Sequence, residues 1–377
     1  MRYTKLLILI LILSFPNKSN SQNDVTQKIS SDVLIEDSRI GLVQGISVYD
    51  ERVYVGDIMN YKVHVYGNSG DHIVSIGRQG RGPGEFQTIS GTRVGPDDSL
   101  YVYDFREQRV TVVSTNSSKS NLRTMRLSSG SDRLTPNVTG NLVSGIEGLW
   151  ITKEGGILVS YRRPIDPRKK LKESNPLEIR YANNTSEDSP VLRTRDRQML
   201  ILDKGERVSM TNMPFGMKPV IDMHRRSNSI YFGLTDSLVI RRKPLNGKVK
   251  TVLSHEFSRV ELSDDLLRAR LKWKGDENLL KRFETVQEKS PSYVPAFEDF
   301  VVDKQGRIWV AVNTRRALEG GHTEYWIFDA DGRLLRKISF ERLVFVKAFG
   351  DKYAYGLATK PNGVQQIVHT SLDSLLP

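Results

Sequence analysis

Six histidines (His64, His72, His224, His255, His322 and His369) are the side chains best suited to metal ligation or proton transfer. None stands two or four residues from another, the spacing of a ready metal pair. His322, beside Gly320 and Gly321 in a loop, is the histidine to test as a catalytic group, and Tyr161 is the candidate phenolic acid or base. Asp57 and Asp104 close two similar segments, Val53-Tyr54-Val55-Gly56-Asp57 and Leu100-Tyr101-Val102-Tyr103-Asp104, and are the candidate metal ligands. Arginines recur between such segments: Arg78, Arg81, Arg106, Arg162, Arg163, Arg315 and Arg316. The planar guanidinium fork matches carboxylate, sulfate or phosphate, so these are candidate ligand-binding residues. Between Arg162 and Arg180 seven cations face three acids, Asp166, Glu173 and Glu178.

Other chemistries lack their residues. The chain has no cysteine, which excludes thiol nucleophiles, disulfides, zinc-thiolate sites and iron-sulfur ligation. Gly80, Gly82 and Gly84 lead into no Gly-Lys-Ser/Thr and open no helix, so they read as a structural turn rather than a phosphate loop. No Gly-x-Ser-x-Gly elbow is present, which disfavours a serine hydrolase of that kind.

The elements that must position these residues are short strands with a Tyr, Trp or small residue between aliphatics: Val53-Tyr54-Val55, Leu100-Tyr101-Val102, Ile157-Leu158-Val159, Ile230-Tyr231-Phe232, Ile308-Trp309-Val310 and Tyr353-Ala354-Tyr355. Their centres are 47, 57, 73, 78 and 45 residues apart. A unit of about 45 residues is one four-stranded propeller blade, and longer intervals carry insertions. The expectation is an all-β, six-bladed β-propeller over residues 22–377. Val33-Leu34-Ile35 is the expected closing strand, beside the late strand carrying Val364, Ile367 and Val368. Between about 263 and 290, Ser263 as N-cap and helical spacing of Leu267, Leu271, Leu279, Phe283 and Val286 predict two short helices separated by Gly275, inserted before blade five.

Gly77-Arg78-Gln79-Gly80-Arg81-Gly82-Pro83-Gly84-Glu85-Phe86 resembles the blade-to-blade loop of NHL-type propellers, and Asp57-Ile58-Met59-Asn60-Tyr61-Lys62-Val63 resembles their Asp-x-x-Asn-x-Arg-Ile signature. Pro291 to Phe297 and Val302 to Val310 repeat the likeness. The chain is thus similar to the NHL-like, six-bladed propellers abundant among exported bacterial proteins. That resemblance implies that Asp57 and Asp104 hydrogen-bond their own turns, and it leaves room for a central divalent metal, although no ligand set and no cofactor motif is legible. It also implies that the loops after each blade's second and fourth strands share a face that carries the site.

With 38% hydrophobic residues the 377-residue chain can bury a large core. Arg2 and Lys5 precede an apolar run from Leu6 to Phe15, too short to span a bilayer, and Ser19 and Ser21 suit a cleavage site. Residues 1–21 are expected to be a removed signal peptide, giving a monomer exported to the periplasm or medium, with no membrane span and, lacking cysteine, no lipid anchor. The net charge of +12 falls to +9 with loss of Arg2, Lys5 and Lys18. The leading expectation is a binding protein whose cationic loop face takes an anionic glycan, peptide or protein partner; the alternative is an enzyme, a metal-dependent lactonase-like hydrolase or an acidic-sugar lyase. Export argues against nucleic acid.

Overall fold

The computed structural model describes residues 26–96, 99–114, 122–127, 145–162, 176–182, 189–203, 208–273 and 275–375. The leader, Arg163 and most of the cationic run after it lie outside the described residues. The second strand of a blade is buried on both sides, as in Arg52–Asp57, Ser99–Asp104 and Ile308–Val312, which is why it reads as a continuous apolar run. In blade one, Val53 and Val55 pack toward blade six with Ile35, Val43 and Tyr355, while Tyr54 between them packs toward blade two with Phe86, Leu100 and Val102. The period-two alternation of a strand thus feeds two separate cores.

Blade one comprises Val43–Tyr49, Arg52–Asp57, Lys62–Gly67 and His72–Ile76, paired antiparallel in chain order. Blade two runs from Gly91–Val94 to Leu122–Arg126, blade three from Gly145–Ile151 to Leu192–Arg195, blade four from Pro219–His224 to Lys250–Ser254 and blade five from Phe297–Val302 to Leu334–Phe340. Blade six joins Val344–Phe349, Tyr353–Thr359 and Gln365–Ser371 to a strand from the other end of the chain, Asp32–Ile35. Val33 pairs with Val368 and Ile35 with Ile367, so the expected closing strand closes the ring. Six apolar clusters fill the six seams between neighbouring blades.

The helical insertion falls where expected, before blade five, but as three helices: α1 (Asp264–Trp273), α2 (Glu277–Leu280) and α3 (Phe283–Lys289). Ser263 Oγ accepts the Leu266 N–H at 3.3 Å as the cap of α1, and Gly275, at φ +65°, ends its run. Arg282, at φ −122°, breaks what the sequence presents as one second helix. Two further short helices are α4 (Arg315–Gly320), within blade five, and α5 (Leu372–Leu375).

Two elements were not legible. Met199–Asp203 and Val208–Asn212 form a hairpin outside the blades, between blades three and four. Thr26–Ile29 adds a parallel fifth strand to the outer edge of blade five. The hairpin and helices share a seventh apolar cluster, in which Leu200 and Leu202 meet Leu267, Leu271, Phe283 and Val286. Both insertions leave the ring between one blade's last strand and the next blade's first, so they form a cap on a single face.

Candidate functional site

Of the predicted loop arginines, the described ones (Arg78, Arg81, Arg106, Arg162, Arg315 and Arg316) belong to that capped face by connectivity, but four of them are ion-paired there. Arg78 pairs with Glu85 at 2.7 Å, Arg81 with Glu107 at 3.3 Å, Arg315 with Glu319 at 3.3 Å and Arg316 with the buried Glu324 at 2.8 Å. Arg106 is exposed in the turn after the second strand of blade two and makes no ion pair with a described residue. Arg162 ends the second strand of blade three. The loop between Arg78 and Phe86 is fixed by Arg109, whose guanidinium donates to the carbonyls of Arg81, at 2.6 Å, and Glu85.

Asp57 and Asp104 hold turns, as the family pattern implies. Asp57 accepts the backbone N–H groups of Gly41 (2.8 Å), Leu42 (3.1 Å) and Met59 (3.0 Å), the Asn60 amide (2.7 Å) and His64 Nε2 (3.3 Å). Burial alone would raise its pKa; the hydrogen bonds from His64, Gly41 and Leu42 outweigh this and hold it well below the usual carboxylate range. Asp104 accepts the Gln87 N–H at 2.7 Å. Among the described residues no cluster of three or more Asp, Glu or His could hold a metal ion. Tyr161 is buried between blades two and three against Tyr103, Leu149 and Val159, a packing position rather than the loop-face acid or base expected of it.

Two cavities are lined by described residues. The larger, about 730 Å³, is the central channel. Its lining includes Asp50, Arg225, Arg226, Lys304 and Asp351, which lie where first strands turn into second strands. The channel therefore opens opposite the cap. Inside it, Lys347 pairs with Asp299 at 2.7 Å and, at the mouth, Lys304 pairs with Asp351 at 2.6 Å. Arg93, from the first strand of blade two, donates to the neighbouring Thr92 carbonyl at 2.8 Å and makes no ion pair with a described residue. Its side chain is exposed to the cavity although protein surrounds that cavity, and this confinement lowers its pKa against the opposing charge of Asp222. Asp222 accepts the Val302 and Met223 N–H groups, each at 2.8 Å; burial nevertheless raises its pKa, helped by Asp299.

The smaller cavity, about 190 Å³, sits under the cap between α1 and α4. Phe215, Leu266, Leu318 and Phe345 make it apolar, and His322 lines it. On its wall Glu298 accepts from Arg270 of α1 at 2.9 Å and from Lys218 at 3.2 Å. Burial would raise the Glu298 pKa, but these two cations hold it below its ordinary value.

Comparison with known proteins agrees with this architecture. Residues 35–125 match a family model described as a 6-bladed beta-propeller. The chain is a six-bladed β-propeller. A member of the duf4221 family from Bacteroides vulgatus superposes with a TM-score of 0.52 at 10% identity, covering 92% of this chain and 96% of its own. A protein from Bacteroides fragilis described as exported superposes with a TM-score of 0.51 at 12% identity, covering 92% and 98%. At these identities the likeness is one of fold. Among proteins of curated function, none matches the chain. No helix among the described residues of the propeller is long and apolar enough to cross a membrane.

Proposed function

We propose that this propeller is an exported binding protein that takes an acidic group of a glycan or peptide into its central channel, against Arg93. The observation that carries the reading is Arg93 itself: a guanidinium exposed in a cavity of about 730 Å³, with no ion-pair partner among the described residues. In such a confined site a carboxylate or sulfate gains more from the fork than it would in water. The loop-face arginines that first suggested an anionic ligand are weaker candidates, since Glu85, Glu107, Glu319 and Glu324 already occupy Arg78, Arg81, Arg315 and Arg316.

The test is equilibrium binding of fluorescent uronate-bearing and sulfated oligosaccharides and acidic peptides, with neutral counterparts as controls. Arg93→Gln removes a charge-assisted contact and is expected to weaken binding by roughly tenfold to a hundredfold, from about 1.5–3 kcal/mol for such a bond. The double change Arg78→Gln, Arg81→Gln is expected to leave affinity within about twofold. Affinity that ignores Arg93→Gln and follows the loop pair would move the site to the loop face.

A further inference from the structure

At the seam that closes the ring, four side chains of blade one form a single hydrogen-bonded chain. Asp57 Oδ2 lies 3.3 Å from His64 Nε2, His64 Nδ1 lies 2.8 Å from Ser75 Oγ, and Ser75 Oγ lies 2.9 Å from His72 Nε2. The strands explain the convergence. His64 and Ser75 are cross-strand partners, and Tyr66 pairs with His72 across an irregularity that leaves Ile73 unpaired. That bulge lets His72 and Ser75, three residues apart, share the face that His64 and Tyr66 present by strict alternation.

With His64 as the neutral imidazole a general base must be, the donors and acceptors run in one direction along the chain, ending on Asp57 as the carboxylate its other hydrogen bonds favour. His64 Nε2 must then carry the proton donated to Asp57, so its Nδ1 is a lone pair that accepts the Ser75 hydroxyl proton. Ser75 Oγ in turn accepts from His72 Nε2–H. His64 is 2% exposed and Asp57 fully buried, so the base is held in place, whereas Ser75 and His72 are only partly buried. Burial, then Arg39 and His64, lower the His72 pKa, and Asp37 opposes them.

We infer that Ser75 is an activated nucleophile for acyl transfer, with His64 as its general base, Asp57 as the positioning residue for His64 and His72 as a donor to the developing oxyanion. The Ser75 proton passes to His64 Nδ1 as Oγ bonds to the carbonyl carbon of an ester. The carbonyl electron pair moves to oxygen and returns to expel the alcohol, which takes the proton from His64. Water, activated by the same histidine, then releases the acid and restores Ser75. Ile73, at the bulge two residues before Ser75, is 52% exposed and offers apolar surface on this strand, so small apolar acyl esters are the expected substrates.

The experiment treats the folded mature chain with a fluorescent fluorophosphonate and, separately, follows p-nitrophenyl butyrate hydrolysis from pH 6 to 9. Fragmentation of the tryptic peptide from Val63 to Arg78 is expected to place the label on Ser75 rather than Ser69. Ser75→Ala, folded by circular dichroism, should lose the label, and His64→Gln should slow labelling by about a hundredfold or more. Asp57→Asn should displace the pH profile of labelling, a change that loss of a turn cap alone would not produce. Absence of label on Ser75 in the folded wild type, or labelling unchanged by His64→Gln, would overturn the assignment. Either result leaves the channel reading intact, because none of the four residues lines the channel.

Discussion

Replacing Ile35 by Ala tests how the ring is closed. Ile35 is 2% exposed and packs at the seam of blades six and one with Val43, Ile46, Tyr66 and Ile367, although it belongs to a strand of only four residues. The substitution removes three carbons, about 2.4 kcal/mol at about 0.8 kcal/mol per methylene. Blades on both sides of the seam resist collapse, so a cavity term brings the expected loss to about 3–4 kcal/mol. Val33, two positions earlier on the same strand, is 46% exposed, and Val33→Ala should cost about 0.5 kcal/mol. The assay is equilibrium urea unfolding of the mature chain, followed by tryptophan fluorescence and by circular dichroism. Equal losses for the two variants, or a small loss for Ile35→Ala, would refute the claim that this strand locks the ring, because the ladder hydrogen bonds survive both changes.

Gly70, at φ +88° in the last turn of blade one, would drive a Cβ into the Leu34 carbonyl oxygen, so Gly70→Ala should lower stability by more than about 1 kcal/mol in the same assay. Glu298 has a depressed pKa when folded, so its contribution is present above the ordinary glutamate range and is lost as pH falls through the folded value. Thermal melts of wild type should therefore steepen in their acid dependence below about pH 4.3, and Glu298→Gln should remove that excess. Arg316→Ala strands the buried Glu324, which also accepts from Trp326 Nε1 at 2.9 Å and Thr314 Oγ1 at 2.9 Å; urea unfolding should show a loss of about 1–3 kcal/mol, larger than for Arg315→Ala on the exposed Glu319.

The blades were legible because strands buried on both faces leave a similar mark six times, a short apolar run whose middle residue ranges from Trp309 and Tyr54 to Ala354. The cap was half legible. Helical spacing marks α1 to α3, but Met199–Asp203 and Val208–Asn212 carry the same alternation as a blade hairpin, and only the meeting of Leu200 and Leu202 with Leu267 and Phe283 places them outside the ring. Thr26–Ile29 is a still weaker case, because four residues with two polar side chains have too little pattern to declare a strand before a partner edge is known.

Functional residues divide along the same line. Local signals found Asp57, since a carboxylate one turn before Asn60 has backbone donors within its own loop. They could not find Arg93, whose neighbours in sequence are ordinary strand residues and whose interest arises from facing Asp222 across the channel from another blade. Nor could spacing find the seam, because His64, His72 and Ser75 converge through a cross-strand pair and a bulge. A count of arginines on a face measures charge before pairing, and in this fold the blade-to-blade turns bring their own acids. Four of the loop arginines are used to hold loops, whereas Arg93 is turned inward, where a ligand could be its counter-ion.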